Sequence, residues 1–262
     1  MGKYYMDIVW RGRFKLTKNQ YDRFAEISDN LHTLLSEIDQ YTLLRLNIDD
    51  FIRYMDYFKK NGEHDFVSLN RYFTNFINSF YMWISFHEKN YKGIFSEYKS
   101  LFYDENFCYR AAYNIRTYTA HETMPITTIQ TDVLSGEVSA RIRTSVLINT
   151  SCKIQSRFRN ELKQKQETLD YIDSLQLSQE LKITLNKFQR AIWEKLQPQI
   201  ASWLTEISAV FPVSDPAIVN AYVEFDNSDH SIPLGHQLKY LYDKSLRENY
   251  DFFKGYREGC SL

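Results

Sequence analysis

A chain of 262 residues that is 44% hydrophobic is long enough to bury a core and too apolar to be disordered. Its net charge of −1 excludes a generally basic nucleic-acid binder, and only 8 glycines and 5 prolines argue for long helices with few tight turns. Cys108, Cys152 and Cys260 form no C-x-x-C and cannot all pair, which predicts reduced thiols in a cytoplasmic protein.

The opening MGKYYMDIVW lacks the charged-then-apolar layout of a secretory signal. The apolar run FYMWISF at 80–86 is too short to span a bilayer, so no membrane segment is expected. A short strand is expected within 1–14, at YMDIVW. Helical patterns follow at about 18–38 and 41–60. The clearest helix carries Phe66, Leu69, Phe73, Phe76, Phe80 and Trp83 at steps of three and four. They make one apolar seam, fit for another helix or a second subunit. His87 extends the seam and reads as a satisfied core or interface group.

Further helices are expected at about 93–103 and 106–122. The period then changes from 3.6 to 2. Val138, Ala140, Ile142, Val146 and Ile148 alternate after a Ser135–Gly136 turn, which predicts a β-hairpin at about 127–134 and 137–149. Helices resume at about 153–173 and 178–207, the second kinked or split by Pro198. Ser214 or Asp215 caps the next helical turn, with Pro216 just inside it. DNSDHSIPLG reads as a loop, and a last helix spans about 236–253. The expected fold is therefore mainly α: a helical bundle over 1–125, a β-hairpin over 126–150, and a second helical region over 151–262.

Chemistry concentrates in FCYRAAYNIRTYTAHETMPIT, residues 107–127. At 100° per residue, Phe107, Ala111, Ile115 and Tyr118 fall within about 80° of one another and make a buried stripe. Arg116 and His121 fall on the other side, about 140° apart, with Tyr113, Thr117 and Arg110 between them. Met124, before Pro125, is biased away from helical angles, so the helix should end near His121. A guanidinium donates paired hydrogen bonds to phosphate oxygens, and an imidazole moves protons near neutrality. Together they suit RNA cleavage without metal or cofactor: the 2′-hydroxyl attacks its own phosphate, His121 handles a proton, and Arg116 steadies the developing charge. With 15 arginines and 6 histidines, chance alone gives about one such spacing, so the setting carries the reading.

A second candidate is the segment 141–165. Arg141, Arg143, Lys153, Arg157, Arg159, Lys163 and Lys165 stand there against one acid, Glu161. A local basic surface is what a polyanion needs, and a solvated helix face is the plainer reading. Other chemistries lack their motifs. His87–Glu88 and His121–Glu122 have no second histidine at zinc spacing, and there is no glycine-rich phosphate loop. Ser139 has no G-x-S-x-G, and Asp49–Asp50 have no further acid at cation-binding spacing.

The segment 107–127 resembles one shared by uncharacterised bacterial and phage-associated proteins, and it is similar to the signature of HEPN domains: an arginine, a polar residue, then histidine on a late helix of a bundle. The resemblance implies an all-α homodimer with two Arg/His pairs facing each other, and metal-independent endoribonuclease activity in toxin–antitoxin or phage-defence systems. Arg116 and His121 are the matched pair; RNA and an antitoxin protein are the implied partners. Thr117 departs from the family, where asparagine, aspartate or histidine usually follows the arginine. Two other readings stand beside it. One is a non-catalytic module binding nucleic acid or protein through 141–165. The other is a helical scaffold of a mobile element, in which Arg116 pairs with Glu122 or Asp104 and His121 caps its helix.

Overall fold

The computed structural model describes residues 4–8, 12–61, 65–132, 134, 137–166, 168–210, 221–225, 231–232 and 234–254. Its elements are β1 (Tyr4–Ile8), β2 (Gly12–Leu16), α1 (Lys18–Asn61), α2 (Phe66–Asn90), α3 (Lys92–Glu105), α4 (Phe107–His121), β3 (Thr128–Thr131) and β4 (Val138–Arg143). After these come α5 (Thr144–Asn149), α6 (Ser156–Gln164), β5 (Tyr171–Asp173), α7 (Ser174–Val210), β6 (Ala221–Phe225), β7 (Ser231–Ile232) and α8 (Leu234–Glu248). The protein is mainly α. No helix among the described residues is long and apolar enough to cross a membrane.

The compact units do not follow the hairpin seam. Residues 40–191 form one unit, and 1–39 with 192–262 form the other. α1 and α7 contribute residues to both. In the unit containing the termini, β1 pairs antiparallel with β2 and β6, and β6 pairs with β7. Its core gathers Ile27, Leu31 and Leu34 of α1, Trp193, Ile200 and Leu204 of α7, and Leu238 and Leu241 of α8. Trp193 Nε1 donates to the buried Glu37 carboxylate at 2.9 Å. Lys244 pairs with Asp39 at 2.5 Å; burial lowers its pKa, and the Asp39 hydrogen bond reverses that into a net rise.

The central unit is built on α2. Asp65 starts this helix by accepting from the Ser68 amide at 3.0 Å. Leu69, Phe73, Phe76, Phe80, Trp83 and His87 are fully buried. Phe73 meets Phe51 of α1 edge-on at 5.1 Å, Phe80 meets Tyr109 of α4 at 5.2 Å, and Trp83 meets Phe188 of α7 at 5.2 Å. Each such side chain contributes about 1.5–3 kcal/mol by leaving water. From Leu69 onward the seam packs against other helices, the first of the two partners expected for it, while Phe66 at its start stays exposed. His87 is the satisfied core group expected: its Nδ1 lies 2.8 Å from the Trp83 carbonyl, and its ring stacks on Phe95.

Several element boundaries differ from expectation. Residues 18–61 are one helix and not two, because no glycine or proline interrupts Ile38–Tyr41 and both Ile38 and Tyr41 are buried. The hairpin exists, with Ile129 opposite Ala140, but β4 ends at Arg143 and 144–149 is helical. The expected helix over 153–173 is shorter, and its tail is strand β5, which completes a sheet of order β3-β4-β5. α7 runs unbroken from Ser174 to Val210 with Pro198 inside it, so the proline does not split it. The expected cap at Ser214 or Asp215 and the turn at Pro216 lie outside the described residues. Residues 221–225 beyond them are strand β6, and part of the expected loop forms β7. Cys108 and Cys152 are free and buried; Cys260 lies outside the described residues.

Candidate functional site

α4 is enclosed along its first half and emerges at its last turn. Cys108, Tyr109, Arg110, Ala111, Ala112, Asn114 and Ile115 are buried; Ala120 and His121 are exposed. Burial is therefore graded along the axis as well as around it. The outward placement expected for Arg110 is corrected: it is 8% exposed. Its Nε and one Nη bind the Glu161 carboxylate of α6 at 2.9 and 3.0 Å, and the other Nη donates to the Tyr103 and Asp104 carbonyls at 2.6 and 2.8 Å. Those carbonyls belong to the last turn of α3, so Arg110 caps that helix while joining α4 to α6. Burial pushes Glu161 upward, but hydrogen bonds from Arg110 and Lys165 outweigh it and hold the carboxyl below its ordinary range. Tyr109 is buried with no hydrogen-bond partner for its hydroxyl among the described residues, and burial raises its pKa well above the usual phenol value.

Arg116 has another environment. It is half-buried, makes no ion pair among the described residues, and has its Cζ over the Tyr81 ring of α2, 3.3 Å from the centroid. A guanidinium held over a ring keeps its N–H groups, which lie in its plane, available to an anion. Thr117 is half-buried beside it. Tyr113 meets Tyr103 edge-on at 6.1 Å and receives Lys99 over its ring at 5.3 Å, so it supports packing between α3 and α4.

His121 is the last residue of α4, and it is exposed without a hydrogen-bond partner among the described residues. The helix stops at His121, four residues before Pro125, and the backbone of Glu122 leaves helical angles. Two clamps fix the chain beyond that point. Glu122 Oε1 accepts from Ser151 Oγ at 2.8 Å, Thr150 Oγ1 at 3.0 Å and Cys152 Sγ at 3.4 Å, and these bonds, the Ser151 bond first, lower its pKa. Asn70 of α2 binds both backbone groups of Ile126, accepting from the amide at 3.0 Å and donating to the carbonyl at 3.2 Å. A recess of about 390 Å³ lies between α2 and this helix end, lined in part by Asn70, Arg71, Thr119 and Thr123. By ideal helix angles Thr119 falls about 60° from Arg116, so this part of the recess lies toward the arginine side. Among the described residues no cluster of His, Cys, Asp and Glu could hold a metal ion.

The basic segment does not form one patch. Arg157 pairs with Asp104, and Lys165 with Glu161 at 3.0 Å. Arg159 donates to the Thr150 and Cys152 carbonyls, both at 3.1 Å. Lys153 is exposed. Arg141 and Arg143 alone of these meet a common group, the ring of Tyr171 on β5. Sequence reading missed Tyr171 because it lay in the tail of an expected helix. The Arg116 pairing weighed for a scaffold is absent: Glu122 and Asp104 are engaged elsewhere. No family model, curated protein or solved structure matches the chain.

Proposed function

We propose that the chain is a metal-independent endoribonuclease of the HEPN kind, with His121 moving a proton at the ribose 2′-hydroxyl and Arg116 binding the scissile phosphate. The observation that carries it is the contrast within α4. One arginine is sealed against a carboxylate, while the other, nearer the emerging end of the helix, makes no ion pair among the described residues and is followed five residues on by an exposed imidazole with no hydrogen-bond partner among them. A chain that used both arginines for structure would pair both. Because the two side chains leave an ideal helix about 140° apart, the reading has two copies of the chain supply the Arg/His pairs across a homodimer. An antitoxin partner and a toxin or phage-defence role in the cytoplasm belong to the same proposal.

The test uses purified full-length chain with single-stranded RNA in EDTA. Cleavage should leave 2′,3′-cyclic phosphate ends. His121→Ala and Arg116→Ala should each lower the rate by about 100-fold or more, the scale of a lost acid–base or charge-stabilising group. Cleavage that survives both substitutions, or none by the wild-type chain, ends the proposal.

A further inference from the structure

β4 alternates along its length. Val138, Ala140 and Ile142 are buried, while Ser139 and Arg141 are half-exposed and Arg143 is exposed. On β5, Ile172 is buried between the half-exposed Tyr171 and Asp173. The antiparallel register sets Arg143 opposite Tyr171 and Arg141 opposite Asp173, all on the outer face of the sheet. The Tyr171 ring centroid lies 5.5 Å from the Arg141 guanidinium carbon and 6.0 Å from that of Arg143. Arg141 is held in place by the Ser139 hydroxyl at 2.8 Å and the Gln130 side chain of β3. Arg143 has no carboxylate partner among the described residues.

Acids share this face, and Asp173 stands directly opposite Arg141 in the register. Asp173 accepts from the Gln176 amide at 2.8 Å, at the start of α7. With Glu137, Asp170 and Glu180 it lines a groove of about 930 Å³ that Arg141 and Tyr171 also line. What attracts a polyanion to this face is the pair of cations at the Tyr171 ring, of which Arg143 is exposed and has no acid opposite it in the register. An aromatic face between two guanidiniums suits a strand that offers both a base face and phosphates. Single-stranded RNA offers both, whereas a duplex keeps its base faces stacked inside.

We propose that the outer face of the β3-β4-β5 sheet is a platform for single-stranded RNA, with one base stacked on Tyr171 and the flanking phosphates on Arg141 and Arg143. This rests on the reading of the chain as RNA-directed and names where such a substrate is held. The platform is a binding site, so it operates whether or not His121 acts.

The experiment is fluorescence anisotropy with labelled single-stranded 12-mer RNA and a duplex of the same sequence, using full-length His121→Ala chain to keep the RNA intact. Single strands should bind more tightly than the duplex. Tyr171→Ala and Arg143→Ser should each weaken binding by about 5- to 100-fold, the range of one lost base stack or phosphate contact. Tyr171→Phe keeps the ring and should bind as the parent does, which separates stacking from loss of fold; a thermal melt of each variant checks the latter. Lys89→Ala, at the exposed end of α2 and outside the basic segment, should change little. Equal binding by Tyr171→Ala, duplex binding as tight as single-strand binding, or no RNA binding at all overturns the platform. Binding that depends on Tyr171 without any cleavage by the wild-type chain leaves the platform standing and removes the nuclease. Cleavage with unchanged KM in Tyr171→Ala does the reverse.

Discussion

Arg110 and Arg116 sit less than two turns apart on one helix, yet they belong to different parts of the molecule's physics. The first half of α4 lies among α2, α3 and α6, where an unpaired cation would be costly, so Arg110 carries a full set of partners. The last turn leaves that enclosure, and among the described residues Arg116 has a ring face and no carboxylate as its partner. The lesson is that position along an enclosed helix, more than the face of the wheel, decides whether a charged group is committed to the fold. If that is right, the two arginines should separate cleanly under substitution.

The largest expected effect is on Arg110. Arg110→Ala leaves Glu161 with Lys165 only and removes both donors from the last turn of α3. Its cost should be about 3–5 kcal/mol, as for breaking a buried pair from one side. Urea denaturation at neutral pH measures it. A loss under 1 kcal/mol would mean the two halves of α4 are not distinct.

Asn70→Ala comes next. It deletes both hydrogen bonds to the Ile126 backbone and leaves that amide and carbonyl buried without them. About 2 kcal/mol should go, again read in urea. Amide exchange at Ile126 should rise more than exchange at Ile115, since the clamp acts beyond the end of α4.

How far the sequence revealed this division can be judged from particular residues. The α2 seam was legible because large apolar side chains repeat at helical spacing over five turns, and such repetition survives any tertiary context. The hairpin was legible from alternation and its turn. Where β4 ends was not: Thr144, Val146 and Ile148 continue the alternation. The chain turns there because Thr144 N and Oγ1 bind the Asp170 and Leu169 carbonyls, contacts 25 and 26 residues away. β5 was invisible, since a three-residue strand carries no period. In the site, Arg116 and His121 were readable as chemistry-bearing groups at a helix end. The role of Arg110 was not, because Glu161 lies 51 residues on and local spacing says nothing of it. Tyr171 was missed with β5.

A smaller effect concerns acid. Glu161 is held below the ordinary carboxylate range in the folded chain, so it binds fewer protons there than in the unfolded chain. Its contribution is complete above about pH 5 and is lost as pH falls through the folded value. Stability measured from pH 7 down to pH 3 should therefore fall more steeply in the wild-type chain than in Glu161→Gln, which has no carboxyl to protonate. Parallel curves would show that the pair with Arg110 does not stabilise its ionised form.

The smallest effect on the fold is the most informative one. Arg116→Ala removes a cation stacked on a half-exposed ring, an interaction of about 0.5–1 kcal/mol. No carboxylate is orphaned and no carbonyl loses a donor, so no desolvation cost adds to it. Arg116→Lys should retain part of that small term, because an ammonium still sits over Tyr81 but cannot stack flat or present paired donors. The two readouts then part company: stability barely moves in either variant, while RNA cleavage falls in both, and further in alanine than in lysine. A scaffold in which Arg116 serves the fold predicts the opposite ordering, with a melting temperature that drops as far as that of Arg110→Ala. Measuring both arginines in one denaturation series decides between a residue kept for the helix and a residue kept for a ligand.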